Sequence, residues 1–326
     1  MNSTIRKITE TLLFEPFNYK GLYDGVHELH SLFSGASGVK AGNINDKDIY
    51  LPAGKAISPI KAAHCLLDLQ RTAVFIRGIY KAILQLQKDF PNERIHILYA
   101  GCGPYATLLT PLTTFFKADE LSFHLLDINE TSLDAAKLIY NKFELNDFVD
   151  EWICADAVTY QIPQGETRHL IISETMQNAL KREPQAGIMM NLIPQLPAKG
   201  LFIPQEITIT AALMNMGLET RCRMTPDGVA PRISLGAIYT ISRENPAPHR
   251  DAAITIPGDI EELNELNLLT DLITFGDEKL GIYNCGLNTP FPLFKVDEHK
   301  GKQLNFHYRM GEEPGFEYEW NGLVKA

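Results

Sequence analysis

The feature that most constrains this chain lies between Ile95 and Ala212, where short strand-like apolar stretches alternate with helix-like ones. Parallel strands can be joined only by long return connections, so this alternation reads as a parallel sheet with crossover helices. Strands are expected at 95–100, 121–127, 149–155, 169–173 and 201–212, with helices at 105–116, 132–143 and 185–196. Upstream, apolar residues recur at helical spacing over 1–33 and again over 58–88, where Ser58 and Pro59 make a natural N-cap and first residue. Between them the stretch 34–55 is rich in Gly, Asn and Asp and predicts a loop or lid. Beyond Met214 the apolar runs are short and punctuated by Gly and Pro, at 233–241, 252–256, 280–283, 304–308 and 316–320, which predicts antiparallel β structure. The expected organisation is a helical segment with lid over 1–90, an α/β core over 91–212, and a β-rich domain over 213–326.

With 326 residues the chain can bury a full core and still carry a smaller second domain. Its formal charge of −10 argues against a nucleic-acid partner, which needs a basic footprint, and suits a cationic one. No apolar run approaches the roughly 18 residues needed to span a bilayer, so no membrane partner is expected. The opening segment breaks its apolar stretch with Glu10 and Glu15 and does not read as a signal peptide, so a cytoplasmic protein is expected. Cys65, Cys102, Cys154, Cys222 and Cys285 include no close pair, which favours free thiols over a disulfide framework or a zinc site. No metal is expected.

The first core strand runs straight into Gly101-Cys102-Gly103-Pro104, placing two glycines where a strand turns at the carboxyl edge of a sheet and backbone can approach a ligand closely. The second strand ends at Asp127, whose carboxylate can accept both hydroxyl hydrogens of a ribose. A nucleoside-bearing cofactor needs both features at once. A plain tight turn at the glycines, with Asp127 capping the next helix, is the alternative. The third strand delivers Asp156 to the same edge, where its carboxylate or neighbouring backbone can meet an adenine amine, as the third strand does in methyltransferases. Nicotinamide enzymes would carry a third glycine where Ala106 stands, so the pattern favours a cofactor without a pyrophosphate, S-adenosylmethionine.

At the end of the fourth strand the residues Ser173, Glu174 and Met176, followed by Glu183, resemble the protein arginine methyltransferases, with their paired glutamates nine positions apart. Asp68, Arg71, Thr72 and Phe75 are similar to that family's Asp-x-x-Arg-Thr-x-x-Tyr segment, and Gly200 and Pro204 to its later loop and strand. The resemblance covers about residues 60–212. It implies a Rossmann-like, seven-stranded methyltransferase core with an N-terminal helical segment and a C-terminal β-rich domain. It also implies that Arg71 binds the methionine carboxylate of S-adenosylmethionine, and that Glu174 and Glu183 clamp a guanidinium or amine, one of them taking the departing proton. The chain departs from the pattern at Tyr99, Tyr105, Thr175 and Gln177, and no copy of the family's Thr-His-Trp loop is evident.

The expected activity is methyl transfer to a guanidino or amine nitrogen of a peptide, protein or small molecule. A homodimer is the expected assembly. Tyr50 and Met176 are expected to help bind the acceptor, while His64 and His307 are further candidate bases. His27 and His30 lack the spacing of a metalloprotease motif. Two other readings stay open: aminopropyl transfer, because the Gly-x-Gly-Pro turn also resembles nicotianamine-synthase-like enzymes, and a non-catalytic scaffold.

Overall fold

The computed structural model describes residues 2–39, 46–225 and 228–321. Helices α1 (Asn2–Phe14) and α2 (Tyr19–Ser37) pack as a hairpin and bury Ile5, Ile8 and Leu12 of one and Leu22, Val26, Leu29 and Phe33 of the other. These residues repeat every three or four positions, so each helix has one apolar face to bury. Of the loop expected over 34–55, residues 40–45 lie outside the described residues. Its start continues α2 to Ser37, and its end forms an antiparallel hairpin of β1 (Ile49–Leu51) and β2 (Gly54–Ala56). Ser58 then caps α3 (Pro59–His64) by accepting from Lys61 N, and α4 (Leu69–Asp89) follows after a short 3-10 turn.

The core alternates β3 (Ile95–Ala100), β4 (Leu121–Asp127), α5 (Glu130–Phe143), β5 (Val149–Cys154), β6 (Leu170–Ser173), α6 (Gln185–Leu192) and β7 (Leu201–Ile203). The strands form one parallel sheet in the order β5-β4-β3-β6-β7. Every residue of β4 and β6 is buried, as in a sheet covered on both faces. The sheet has five strands where seven were expected. The strand expected over 201–212 breaks at Pro204, which has no N–H to continue the ladder; β7 stays in the parallel sheet, and β8 (Glu206–Met214) joins a second, antiparallel one.

A further correction concerns 105–116, where a helix was expected. The segment is a series of turns closed by a 3-10 helix, Thr110–Thr114. Pro104 and Pro111 supply no N–H, and Ala106 sits at a φ of 43°, so an α-helical ladder cannot propagate through them.

Beyond β8 come α7 (Met216–Arg223), β9 (Ile233–Ser242), β10 (Asp251–Thr255), β11 (Glu265–Phe275), β12 (Glu278–Leu280), β13 (Phe291–Lys295), β14 (Gln303–Arg309) and β15 (Gly315–Trp320). One antiparallel sheet runs β12-β11-β8-β9 with β13 added to β11, and another runs β10-β14-β15. The run at 280–283 leaves its strand after Leu280, with Tyr283 in a turn at φ 64°. Among the described residues no helix is long and apolar enough to cross a membrane.

Candidate active site

The carboxyl ends of β3, β4, β5 and β6 open onto one cavity of about 420 Å³. In the strand order, β3 lies where the connections change direction, and such a switch point leaves a crevice beyond the strand ends. Gly101 and Gly103 leave β3 at φ 76° and 65°, the left-handed region that favours glycine. Gly101 is required for space as well, since an added Cβ would come 2.4 Å from Cγ2 of Thr175. The turn is tied to β4 by Gly101 N donating to Leu126 O at 2.8 Å.

Asp127 ends β4 and meets that turn directly, its Oδ2 accepting from Gly103 N at 2.8 Å and its Oδ1 from Asn129 N at 2.8 Å. Burial pushes its carboxyl up to about 6, against the pull of the backbone N–H donors of Asn129, Gly103 and Ile128. The cap of α5 is Asn129, which accepts from Thr131 N, so the helix does not need Asp127 for that purpose. Asp156, just past β5, accepts from Val158 N at 2.9 Å and lines the same cavity.

On the other side of β3, Glu174 follows β6 and pairs through Oε2 with Nη2 of Arg71, in the first turn of α4. Its Oε1 is buried without a hydrogen-bond partner. Glu183 is 6% exposed and accepts from Gln177 Nε2 at 2.7 Å. Burial pushes the Glu183 carboxyl up, opposed by the Gln177 hydrogen bond and the charge of Arg71. Between the two glutamates, Ala179, Leu180 and Arg182 all have positive φ, of 56°, 50° and 65°. Non-glycine residues hold such angles only where their surroundings fix them. The surroundings here are Thr270 Oγ1 accepting from Ala179 N, the Tyr308 hydroxyl donating to Leu180 O, Arg182 N donating to Pro314 O, and Lys55 N donating to Arg182 O. The loop is therefore held from both the C-terminal sheets and the β1–β2 hairpin.

The sequence-predicted residues Arg71, Gly101, Gly103, Asp127, Asp156, Glu174, Met176 and Glu183 all line this cavity. Tyr50 does not: it is 78% exposed on β1, where alternation turns it away from its neighbour Leu51, which does line the cavity. Of the other candidates, Tyr99 lines it, whereas Tyr105 packs against Phe33. His64 faces His30, and His307 pairs with Asp251 on the C-terminal sheet. Sequence reasoning missed Gln185, fully buried, whose Oε1 accepts from Thr175 N at 2.8 Å and whose Nε2 donates to Ser173 O at 3.1 Å. It also missed Gly286 and Leu287, which bring the C-terminal region to the cavity, Gly286 N donating to Asp68 Oδ2. Gln185 stands two residues past Glu183 but is a neutral side chain outside the motif's pattern, and Gly286 and Leu287 stand near no motif.

The donor set fits an adenosyl group joined to an amino-acid tail. The positive-φ glycines let backbone approach, Asp127 offers a carboxylate at the strand end, Arg71 offers a planar cation, and Glu174 has a buried acceptor atom still without a donor. No family model matches the sequence, and no curated protein matches it. Among solved structures, the fold is similar to the PRMT1 enzyme–prozyme heterotetrameric complex with AdoHcy from Trypanosoma brucei. The likeness covers 80% of this chain and 93% of that one, at 13% identity and a TM-score of 0.50. The likeness is one of fold: N-terminal helices, a parallel sheet and antiparallel C-terminal sheets.

Proposed function

We propose that this chain is an S-adenosylmethionine-dependent methyltransferase acting on a guanidinium or amine nitrogen. The observation that carries the reading is Glu174, whose Oε1 is buried and unpartnered in a cavity that also holds the Asp127–Gly103 contact. A buried carboxylate oxygen without a donor is costly, and a cationic nitrogen donor would satisfy it. The adenosyl end belongs with Gly101, Gly103, Asp127 and Asp156, and the carboxylate end with Arg71. When bound, the cofactor supplies a methyl group already activated on a sulfonium.

The protein then has to orient the acceptor and exclude water, and positioning of this kind lowers barriers by roughly 7–11 kcal/mol. Glu174 and Glu183 hold the nitrogen donors, and Glu183, whose proton affinity burial raises, receives the proton that leaves. Leu51, Lys55 and Ala56 of the hairpin wall the cavity on one side and Leu287 on another, which limits water. The similar structure is a heterotetrameric complex, which is consistent with this chain working in an oligomer.

The test is incubation with methyl-labelled S-adenosylmethionine and a panel of arginine peptides, lysine peptides and small amines. Labelled acceptor and S-adenosylhomocysteine are expected from the wild type, and neither from Glu174→Gln. Accumulation of methylthioadenosine would instead establish aminopropyl transfer. Absence of both nucleoside products across the panel, with cofactor binding intact, would favour a scaffold.

A further inference from the structure

We infer that His96, His124 and Asp150 form a binding site for a zinc-type transition-metal cation at the amino-terminal half of the parallel sheet, away from the cavity. The sheet register assembles it. On β3 and β4, His96 pairs with Ser122 and Leu98 with His124, so both histidines fall on the same face, two rungs apart. On β5 the register slips: Phe123 pairs with Val149 but His124 with Glu151, leaving Asp150 as an extra residue between rungs. An irregularity of that kind re-aims a side chain, and it is here that the third ligand comes in.

One ligand atom from each residue lies within 4.8 Å of the others. Ligands of a tetrahedral zinc, each about 2.1 Å from the metal, stand roughly 3.4 Å apart, so small side-chain rotations complete the set. Asp150 Oδ2 is already 3.7 Å from His96 Nδ1. The independent sign of a missing ligand is His124, 5% exposed, whose Nδ1 has no hydrogen-bond partner. Buried polar atoms are seldom left so, and a metal would satisfy this one.

The surroundings hold the rings, and Ser122 is the present hydrogen-bond partner that an ion would displace from His96 Nδ1. Ser122 Oγ lies 2.6 Å from His96 Nδ1, and His169 stacks on His96 while accepting from the His96 backbone N–H. Arg94 binds Oδ1 of Asp150 and leaves Oδ2 free, and the Arg168 guanidinium is paired with Glu166. With two guanidiniums nearby, the site offers little net negative charge for a hard cation such as magnesium or calcium. Two imidazoles and one carboxylate are instead the donors of a borderline metal, with water completing the shell. Such an ion would pin β3, β4 and β5 together, and its place on the sheet makes its role structural.

The test uses the full-length chain, stripped with a chelator and titrated with Zn²⁺ by calorimetry, followed by Co²⁺ absorption. One Zn²⁺ per chain is expected, with affinity at least tenfold lower in both His96→Ala and Asp150→Asn, whose side chains are partly exposed. His307→Ala, which breaks a different His–Asp pair, should bind as the wild type does. The Co²⁺ spectrum should show nitrogen and oxygen ligation without thiolate charge transfer. Absence of saturable Zn²⁺ binding, wild-type affinity in either site variant, or a thiolate band assigning the ion to the cysteines would overturn the inference.

Discussion

Asp127 is almost fully buried, its carboxylate is held by backbone N–H donors, chiefly those of Gly103 and Asn129, and burial raises its pKa to about 6. Ribose hydroxyls donate best to the ionised form, so binding of S-adenosylmethionine favours loss of the proton. The affinity should therefore be flat above pH 6 and fall as pH drops below it, and Asp127→Asn should be weaker and lack that pH dependence; calorimetry between pH 5 and 8 reads both. Hydrogen bonds to a charged group contribute about 1.5–3 kcal/mol, so the loss at neutral pH should be roughly tenfold to a hundredfold. Glu174→Gln keeps the size of the side chain but removes its charge. It should leave the cofactor dissociation constant within about threefold while cutting kcat by roughly a hundredfold or more. At this scale the sequence was most informative, because a glycine turn after a strand and an acid ending the next are local patterns. Tyr50 shows the limit, since whether a residue in a short hairpin faces in or out depends on packing absent from the chain order.

The turn after β3 and the loop after β6 are mutually dependent elements. Gly101→Ala meets Thr175 at 2.4 Å and also has to hold a φ of 76°, two separate penalties. Gly101→Ala should lower Tm and abolish cofactor binding, while the double variant Gly101→Ala/Thr175→Gly, relieved of the collision but not of the φ, should recover only part of both. On the other side of the loop, Tyr308→Phe leaves Leu180 O without its donor in a buried site. The expected cost is about 1–3 kcal/mol in denaturant unfolding, together with a fall in kcat that leaves cofactor affinity unchanged. Neither dependence was legible beforehand, because Thr175 and Tyr308 act at a distance along the chain. The helix expected over 105–116 failed for a local reason that was visible, prolines at 104 and 111 within an apolar repeat. The strand β11 escaped notice because Asn267, Thr270 and Thr274 interrupt its apolar pattern. Those three are buried, and the two threonines bond the site loop and the next strand.

Across the whole molecule, the parallel sheet supplies the strand ends and the antiparallel sheets brace the loop that carries the two glutamates. Alternation of strand and helix made the first visible in the sequence. The second depends on long-range contacts, Thr270 with Ala179 and Gly286 with Asp68, for which the chain order holds no sign. The same is true of the His96, His124 and Asp150 cluster, whose members lie on three strands and meet only through register. The proposed function requires the cavity between the β3 turn and Glu174 to hold S-adenosylmethionine, and calorimetric titration of the full chain with that cofactor reads this without an acceptor. One molecule is expected to bind per chain with a dissociation constant of about 1–100 μM, displaced by S-adenosylhomocysteine and weakened by Arg71→Ala. No binding up to about 1 mM, or binding indifferent to both Arg71→Ala and Asp127→Ala, would contradict the proposed function.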